Sequence, residues 1–332
     1  MAWVILVHCL YWIGLFSQTY RQVTIKSFFL IEMPIMFFAI GASNSFSKIE
    51  SLWKFWAKRL KRVYFPYLVY VLICWLMTVD VNGFTGETRL FYLFTMMVFP
   101  ISVPSNANSA LWFIPYYCIF IFLFPLFKFI YVRSNRVIRL IPLIGFWGGI
   151  AYCTFHPQGF LNYFFTYGFW VYLGLFYQEL IKRESPCIKI LLLILSIANL
   201  AIVFGLHKYA GISYDMQANK FPPNLMFNSW TLAVLSYLAI SIHQIATVLD
   251  KIKRHSRFAA WLGESYERCS YSIFLMQPFA FALIPLILNF MSLGNLLAIN
   301  NYISFIIYLT MSIPIAAVLG RILYPIEKKC NS

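Results

Sequence analysis

Residues 55–79 read FWAKRLKRVYFPYLVYVLICWLMTV, a cationic run that stops abruptly where an apolar run begins. Six Lys and Arg residues gather between Lys48 and Arg62, and none follows before Arg89. A helix built from Tyr64 onward is apolar around its whole circumference, and cations packed against one end of it are the pattern of a membrane span with an anchored inner mouth. The rest of the chain agrees. Across 332 residues, 61% are hydrophobic, 11% are charged and the mean hydropathy is +0.73. No single soluble core can hide that much apolar surface, so the chain reads as a polytopic, all-α integral membrane protein.

A hydrocarbon core of about 30 Å needs about 20 helical residues. Apolar runs of that order lie near 1–16, 28–44, 64–79, 111–131, 137–154, 160–181, 188–206, 224–249, 269–290 and 299–323, which predicts about ten transmembrane helices. With the N-terminus in the cytoplasm, the inner loops and tail carry 21 of the 26 Lys and Arg residues, and only Arg21, Lys26, Arg89, Lys208 and Lys220 fall outside them. That asymmetry predicts both termini in the cytoplasm. It also accounts for most of the net charge of +15 without a nucleic-acid partner.

The seven cysteines are scattered, mostly through apolar segments, with no CxxC pair and no Cys/His ligand spacing, so they read as small apolar fillers and no metal site is expected. No signal peptide is evident, because the first run lacks a basic start and a small-residue cleavage site. Nothing marks a soluble domain or a linker, and one membrane domain spans 1–332. The outer connection 80–110 holds its own apolar piece, LFYLFTMMVFPISV, which suits a re-entrant or interfacial segment. The first span is short: residues 2–16 give roughly 22 Å of helix. Additional residues ahead of Met1 are the expected remedy.

Ionisable groups inside spans are costly and mark candidate sites. His8 lies midway along the first run, in WVILVHCLYW, and Glu32 lies in SFFLIEMPIMFF. On two antiparallel helices their depths differ by roughly 6 Å, so contact is feasible. A carboxylate beside an imidazole fixes its tautomer and raises its basicity, as a general base for a hydroxyl proton requires. The plainer readings are a neutral imidazole bonded to a neighbouring helix and a carboxylate snorkelling outward. Arg59 and Arg62, three apart on one helical face, offer two planar forks to an anion such as a phosphate, whereas Lys48, Lys54 and Lys58 suffice as topological anchors. Gln277, in SYSIFLMQPF, is a buried amide suited either to structure or to substrate. Trp112 and Tyr116, near the outer mouth, can stack on a pyranose. There is no P-loop, GxSxG, HExxH or GxGxxG, and none of the five His has an Asp five residues on.

Several of these pieces together resemble the membrane acyltransferase family 3, over most of the chain. His8 with its apolar flanks is similar to the family's first-helix histidine, and MPIMFFAIGAS (33–43) to its MPxFFFxSG stretch. Arg59 and Arg62 match its RxxR; ALWFIPYYCIFIFLFPL (110–126) resembles its LWFLxxL helix, and CSYSIFLMQPF (269–279) its SYxIYLxHP segment. Two positions depart from the pattern. The basic residue about ten places before the first histidine would precede Met1, which again predicts missing residues there, and the late histidine is Gln277 here.

The resemblance implies a single membrane-embedded acyltransferase domain over 1–332, in the inner (plasma) membrane of a bacterium. It implies transfer of an acyl group, commonly acetyl, from cytosolic acetyl-CoA or another acyl-CoA to a hydroxyl of a surface glycan such as O-antigen or capsule, or of a lipid-linked saccharide. The acyl-CoA is a cosubstrate, and no permanently bound cofactor is expected. On this reading His8 and Glu32 are catalytic, Arg59 and Arg62 hold the coenzyme A phosphates, and Trp112 and Gln277 touch the acceptor. A polysaccharide exporter or flippase without chemistry is the competing class, since polar groups near the midplane of ten spans also suit a transporter. An inactive paralogue is the third reading.

Overall fold

The computed structural model describes residues 1–13, 15, 19–77, 113–180 and 185–329. The expected re-entrant segment within 80–110 and the substrate candidate Trp112 lie outside the described residues. The elements are α1 (Ala2–Trp12), α2 (Tyr20–Ser27), α3 (Glu32–Ser45), α4 (Leu52–Met77), α5 (Ile114–Arg133), α6 (Arg136–Phe155), α7 (Phe160–Gly174) and α8 (Tyr177–Leu180). They continue with α9 (Pro186–Ala210), α10 (Met216–Lys220), α11 (Leu225–Ile240), α12 (Ile242–His255), α13 (Arg257–Arg268), α14 (Ser270–Phe290), α15 (Leu296–Ile299) and α16 (Asn301–Lys329). Local chemistry explains several boundaries. Asn135 accepts from the amide of Ile138 at 2.9 Å to cap α6, and Ser256 accepts from Ala259 at 3.2 Å to cap α13. Pro186 opens α9, and Gly211 closes it in the left-handed region at φ 67°.

Six described segments are long and apolar enough to cross a membrane, with Tyr20–Ser45 taken as one, and a seventh arises if α11 and α12 form one span bent by 64°. The count of ten is not reached among the described residues. Length accounts for two of the missing spans: α1 has 11 residues and α7 has 15, or about 16 and 22 Å of helix against a core of about 30 Å, while α4, with 26 residues, is not among the six. Apolar runs in the sequence continue past the points where these helices stop. In the second half of the 224–249 run, α12 turns amphipathic, with Ile245, Leu249 and Ile252 on one face and Lys251, Lys253 and Arg254 near its end.

The chain divides into two compact units. One comprises Met1–Leu15, Glu50–Ile119 and Ile252–Ser332; the other comprises Phe16–Ile49 and Phe120–Lys251. The first unit is organised on α16. Helix α14 packs along it extensively, α1, α4 and α13 also lie on it, and the crossing with α14 is close enough that a Cβ on Gly320 would stand 2.3 Å from Ile273 Cγ1. Small residues at such crossings let backbones approach, the usual basis of helix association in lipid. Helix α13 is pinned by Arg321, which donates to Ser265 Oγ at 2.7 Å and lies over the Trp261 ring at 5.2 Å. The hydroxyl of Tyr266 on α13 donates to the Ile313 carbonyl at 2.9 Å, and burial raises its phenol above the ordinary range, so it remains a donor.

The second unit is built on the α3–α7, α6–α7 and α9–α11 pairs. Gly41 and Gly174 face each other where α3 crosses α7: a Cβ on Gly41 would fall 1.9 Å from the Val171 carbonyl oxygen, and one on Gly174 2.3 Å from that of Phe38. Beside this crossing Phe37 stacks on Tyr167 at 4.1 Å. Lys128 donates to the carbonyl oxygens of Ser45, at 2.7 Å, and Ser47, placing a cation against the C-terminal end of α3.

Candidate functional site

The first unit holds three polar or aromatic groups in vertical order, and α16 serves as their ruler. At its C-terminal end Glu327, fully buried, accepts from Arg62 Nε at 3.1 Å and Nη2 at 3.0 Å through one carboxylate oxygen. Its other oxygen accepts from Ser272 Oγ at 2.7 Å. A buried carboxylate needs this kind of charged, hydrogen-bonded partner set. Further along, Cys9 Sγ stands 3.9 Å from Ser312 Oγ. Near the N-terminal end Phe281 stacks with Tyr308 at 5.6 Å between centroids. As numbers fall along α16 from Glu327 to Tyr308, they rise along α14 from Ser272 to Phe281, so the two run antiparallel.

Helix α1 follows the same sense as α14, because Cys9 meets Ser312 while Trp12 meets Phe281, edge to face at 4.7 Å. His8 therefore stands at about the level of Gln277. On α14, Gln277 is five residues above Ser272 and four below Phe281, about 7.5 and 6 Å along the axis. His8 is half-buried and stacks on Trp12 one turn further, with ring centroids 4.4 Å apart and planes 18° apart. Gln277 is 1% exposed, and its Nε2 finds no hydrogen-bond partner among the described residues. Above them, Trp12, Pro278, Phe281, Asn301, Ser304 and Tyr308 are among the walls of a cavity of about 460 Å³.

The two arginines of the cationic run are thus not equivalent. Arg62 commits two of its five N–H donors to Glu327, yet its side chain is 37% exposed. Arg59 is half-buried and lies over the Phe55 ring at 5.6 Å. The half-buried Tyr117 on α5 stands within electrostatic reach of both.

Glu32 belongs to the second unit. Lys220 donates to its Oε1, both side chains are buried, and its Oε2 accepts no hydrogen bond among the described residues. Sequence reasoning treated Lys220 as an ordinary outer-loop cation and missed this pair. Glu327 is equally inconspicuous in the sequence, because that carboxylate directly precedes Lys328 and Lys329. The detectable signal was its place at the end of an otherwise uncharged run from Ile322 to Ile326. Among the described residues no group of three His, Cys, Asp or Glu side chains gathers as a metal site would.

No curated protein and no solved structure shows significant similarity to the chain. A family model described as an acyltransferase domain, Acyl_transf_3, matches residues 1–321, nearly the whole length and all three levels of the site except Glu327. With its apolar multi-helix architecture and a histidine held between a cationic end and an aromatic cavity, the chain belongs to acyltransferase family 3.

Proposed function

We propose that the protein transfers an acetyl or other short acyl group from cytosolic acyl-CoA to a hydroxyl of a surface glycan, such as O-antigen or capsule, at the inner membrane of a bacterium. Ten spans with both termini in the cytoplasm complete this reading; the loop charge asymmetry supports the orientation. The observation that carries it is the vertical order in the first unit: arginines at one end, an aromatic cavity at the other, and His8 between them. That order suits a donor and an acceptor approaching from opposite sides of a membrane.

In this reading Arg59 and the donors of Arg62 not used by Glu327 bind coenzyme A phosphates, and the thioester arm extends towards His8. The imidazole takes the acceptor's hydroxyl proton as its oxygen attacks the thioester carbonyl; the carbon–sulfur bond breaks, and the departing thiolate recovers the proton from the imidazolium. Alternatively the imidazole nitrogen accepts the acyl group first, releasing coenzyme A, and the hydroxyl then displaces it. Gln277, level with His8, contributes an amide to whichever oxygen is reacting, and Trp112 is assigned to acceptor binding. We assign Glu32 to neutralising Lys220 rather than to orienting His8, since its carboxylate already has a buried cationic partner.

Radiolabelled acetyl-CoA supplied to inverted membrane vesicles tests the proposal. The expected result is label in alkali-labile ester on glycan, lost in His8→Ala. Glycan translocation without label would replace the enzyme by an exporter.

A further inference from the structure

We infer that the cavity above His8 is the acceptor subsite and that it recognises an uncharged pyranose ring. This inference rests on the acyl-transfer reading and adds the chemical class and position of the second substrate. At about 460 Å³ the cavity is of a size typical for small-ligand sites, which run from about 300 to 1,000 Å³. It lies one helical turn from His8, and Trp12 joins the two by stacking on the imidazole at 4.4 Å while lining the cavity.

The lining discriminates among ligands. It contains no Lys or Arg, so it is a poor place for the phosphates of a coenzyme A. A purely aliphatic chain would leave the amide of Asn301 facing hydrocarbon, which is unfavourable. A sugar ring has both an apolar C–H face and a rim of hydroxyls. Trp12, Phe281 and Tyr308 supply aromatic surface for the face, Phe281 being fixed edge-on by Trp12 at 4.7 Å and stacked by Tyr308 at 5.6 Å. Asn301 and Ser304, one turn apart on α16, supply polar contacts for the rim. Ser304 Oγ donates its proton to the Leu297 carbonyl at 2.8 Å, so towards a ligand it acts as an acceptor and selects a hydroxyl donor. A ring seated here presents a hydroxyl past Trp12 towards His8.

The test uses the full-length protein in detergent, radiolabelled acetyl-CoA, and surface polysaccharide extracted from cells lacking this gene and de-esterified with mild alkali. Asn301→Trp blocks an exposed rim position without entering the packed helix interface, and Ser304→Ala removes one acceptor. Asn301→Trp should preserve thermal unfolding, Ser304→Ala should lower it slightly by giving up the bond to the Leu297 carbonyl, and both should preserve the KM for acetyl-CoA. The KM for polysaccharide should rise about tenfold or more in Asn301→Trp and about two- to tenfold in Ser304→Ala, the loss expected of one hydrogen bond. Unchanged polysaccharide KM in Asn301→Trp overturns the subsite, as does a rise of both KM values together. If the unaltered protein labels no polysaccharide at all, the acyl-transfer reading itself falls and takes the subsite with it.

Discussion

Each unit of the molecule buries a carboxylate against a cation, and the two pairs are built differently. In the second unit Glu32 and Lys220 are both hidden, with side chains 3% and 6% exposed. In the first, Glu327 is wholly buried but Arg62 is 37% exposed, and Ser272 supplies the carboxylate's second hydrogen bond. A pair buried on both sides is withdrawn from whatever approaches, whereas a pair with one open side presents an anchored guanidinium. The first unit also carries the half-buried imidazole and the cavity. On the proposed reading, chemistry falls to the first unit and scaffolding to the second.

The largest expected effect tests the chemical side of that division. His8→Ala should lower acyl transfer by about 10²- to 10⁴-fold, the range for loss of a general base, while leaving thermal unfolding in detergent unchanged. Transfer that survives at more than a tenth of the normal rate would remove His8 from the chemistry.

The scaffold side is tested next. Glu32→Ala strands a buried ammonium and should destabilise the protein by about 3–5 kcal/mol, read as a lower unfolding temperature and reduced yield. Replacing both partners, Glu32→Leu with Lys220→Met, should recover most of that loss and keep the acyl-transfer rate, since no buried charge is left. A stable double variant that cannot transfer would break the comparison and return Glu32 to the active site.

The arginines come third. Arg59→Ala should raise the KM for acyl-CoA with little effect on stability. Arg62→Ala should do both, because it leaves Glu327 buried without its cation; a charged hydrogen bond is worth about 1.5–3 kcal/mol. Adding Glu327→Gln to Arg62→Ala should restore stability but not the KM. Membrane insertion should survive in all of them, because the other cations of that loop remain. An unchanged KM in the Arg59→Ala, Arg62→Ala double variant would reduce the pair to a topological anchor.

How much of this was legible beforehand follows from the physics of each signal. Helical class and membrane residence are composition effects, visible in each of the long apolar runs. His8, Arg59 and Arg62 stood out because a polar group in or beside an apolar run is costly and therefore conspicuous. Span number was less legible, because hydropathy does not register where α1 and α7 stop. The partners were not legible at all. Glu32 meets Lys220 across 188 positions and Arg62 meets Glu327 across 265, distances over which a sequence has no periodicity to reveal pairing. The cavity was hidden for the same reason: Trp12, Phe281 and Tyr308 are three aromatics among 34 Phe, 22 Tyr and 10 Trp, and only the antiparallel course of α16 gathers them.

The smallest expected effect bears on Gln277, where the family pattern has histidine. Its side chain sits level with His8, nearly sealed, with Nε2 unpartnered among the described residues. A buried donor left without a partner costs about 1–3 kcal/mol, a standing penalty that a transient bond to substrate or to the reacting oxygen would relieve. Gln277→His retains a ring N–H donor of similar reach, so transfer should change by no more than about threefold, under 1 kcal/mol. Gln277→Leu removes the donor, and should stabilise the resting protein slightly while slowing transfer by more than the histidine variant does. If leucine stabilises the protein and leaves transfer untouched, Gln277 is a core residue and the chemistry of the first unit narrows to His8 and what its two ends bring to it.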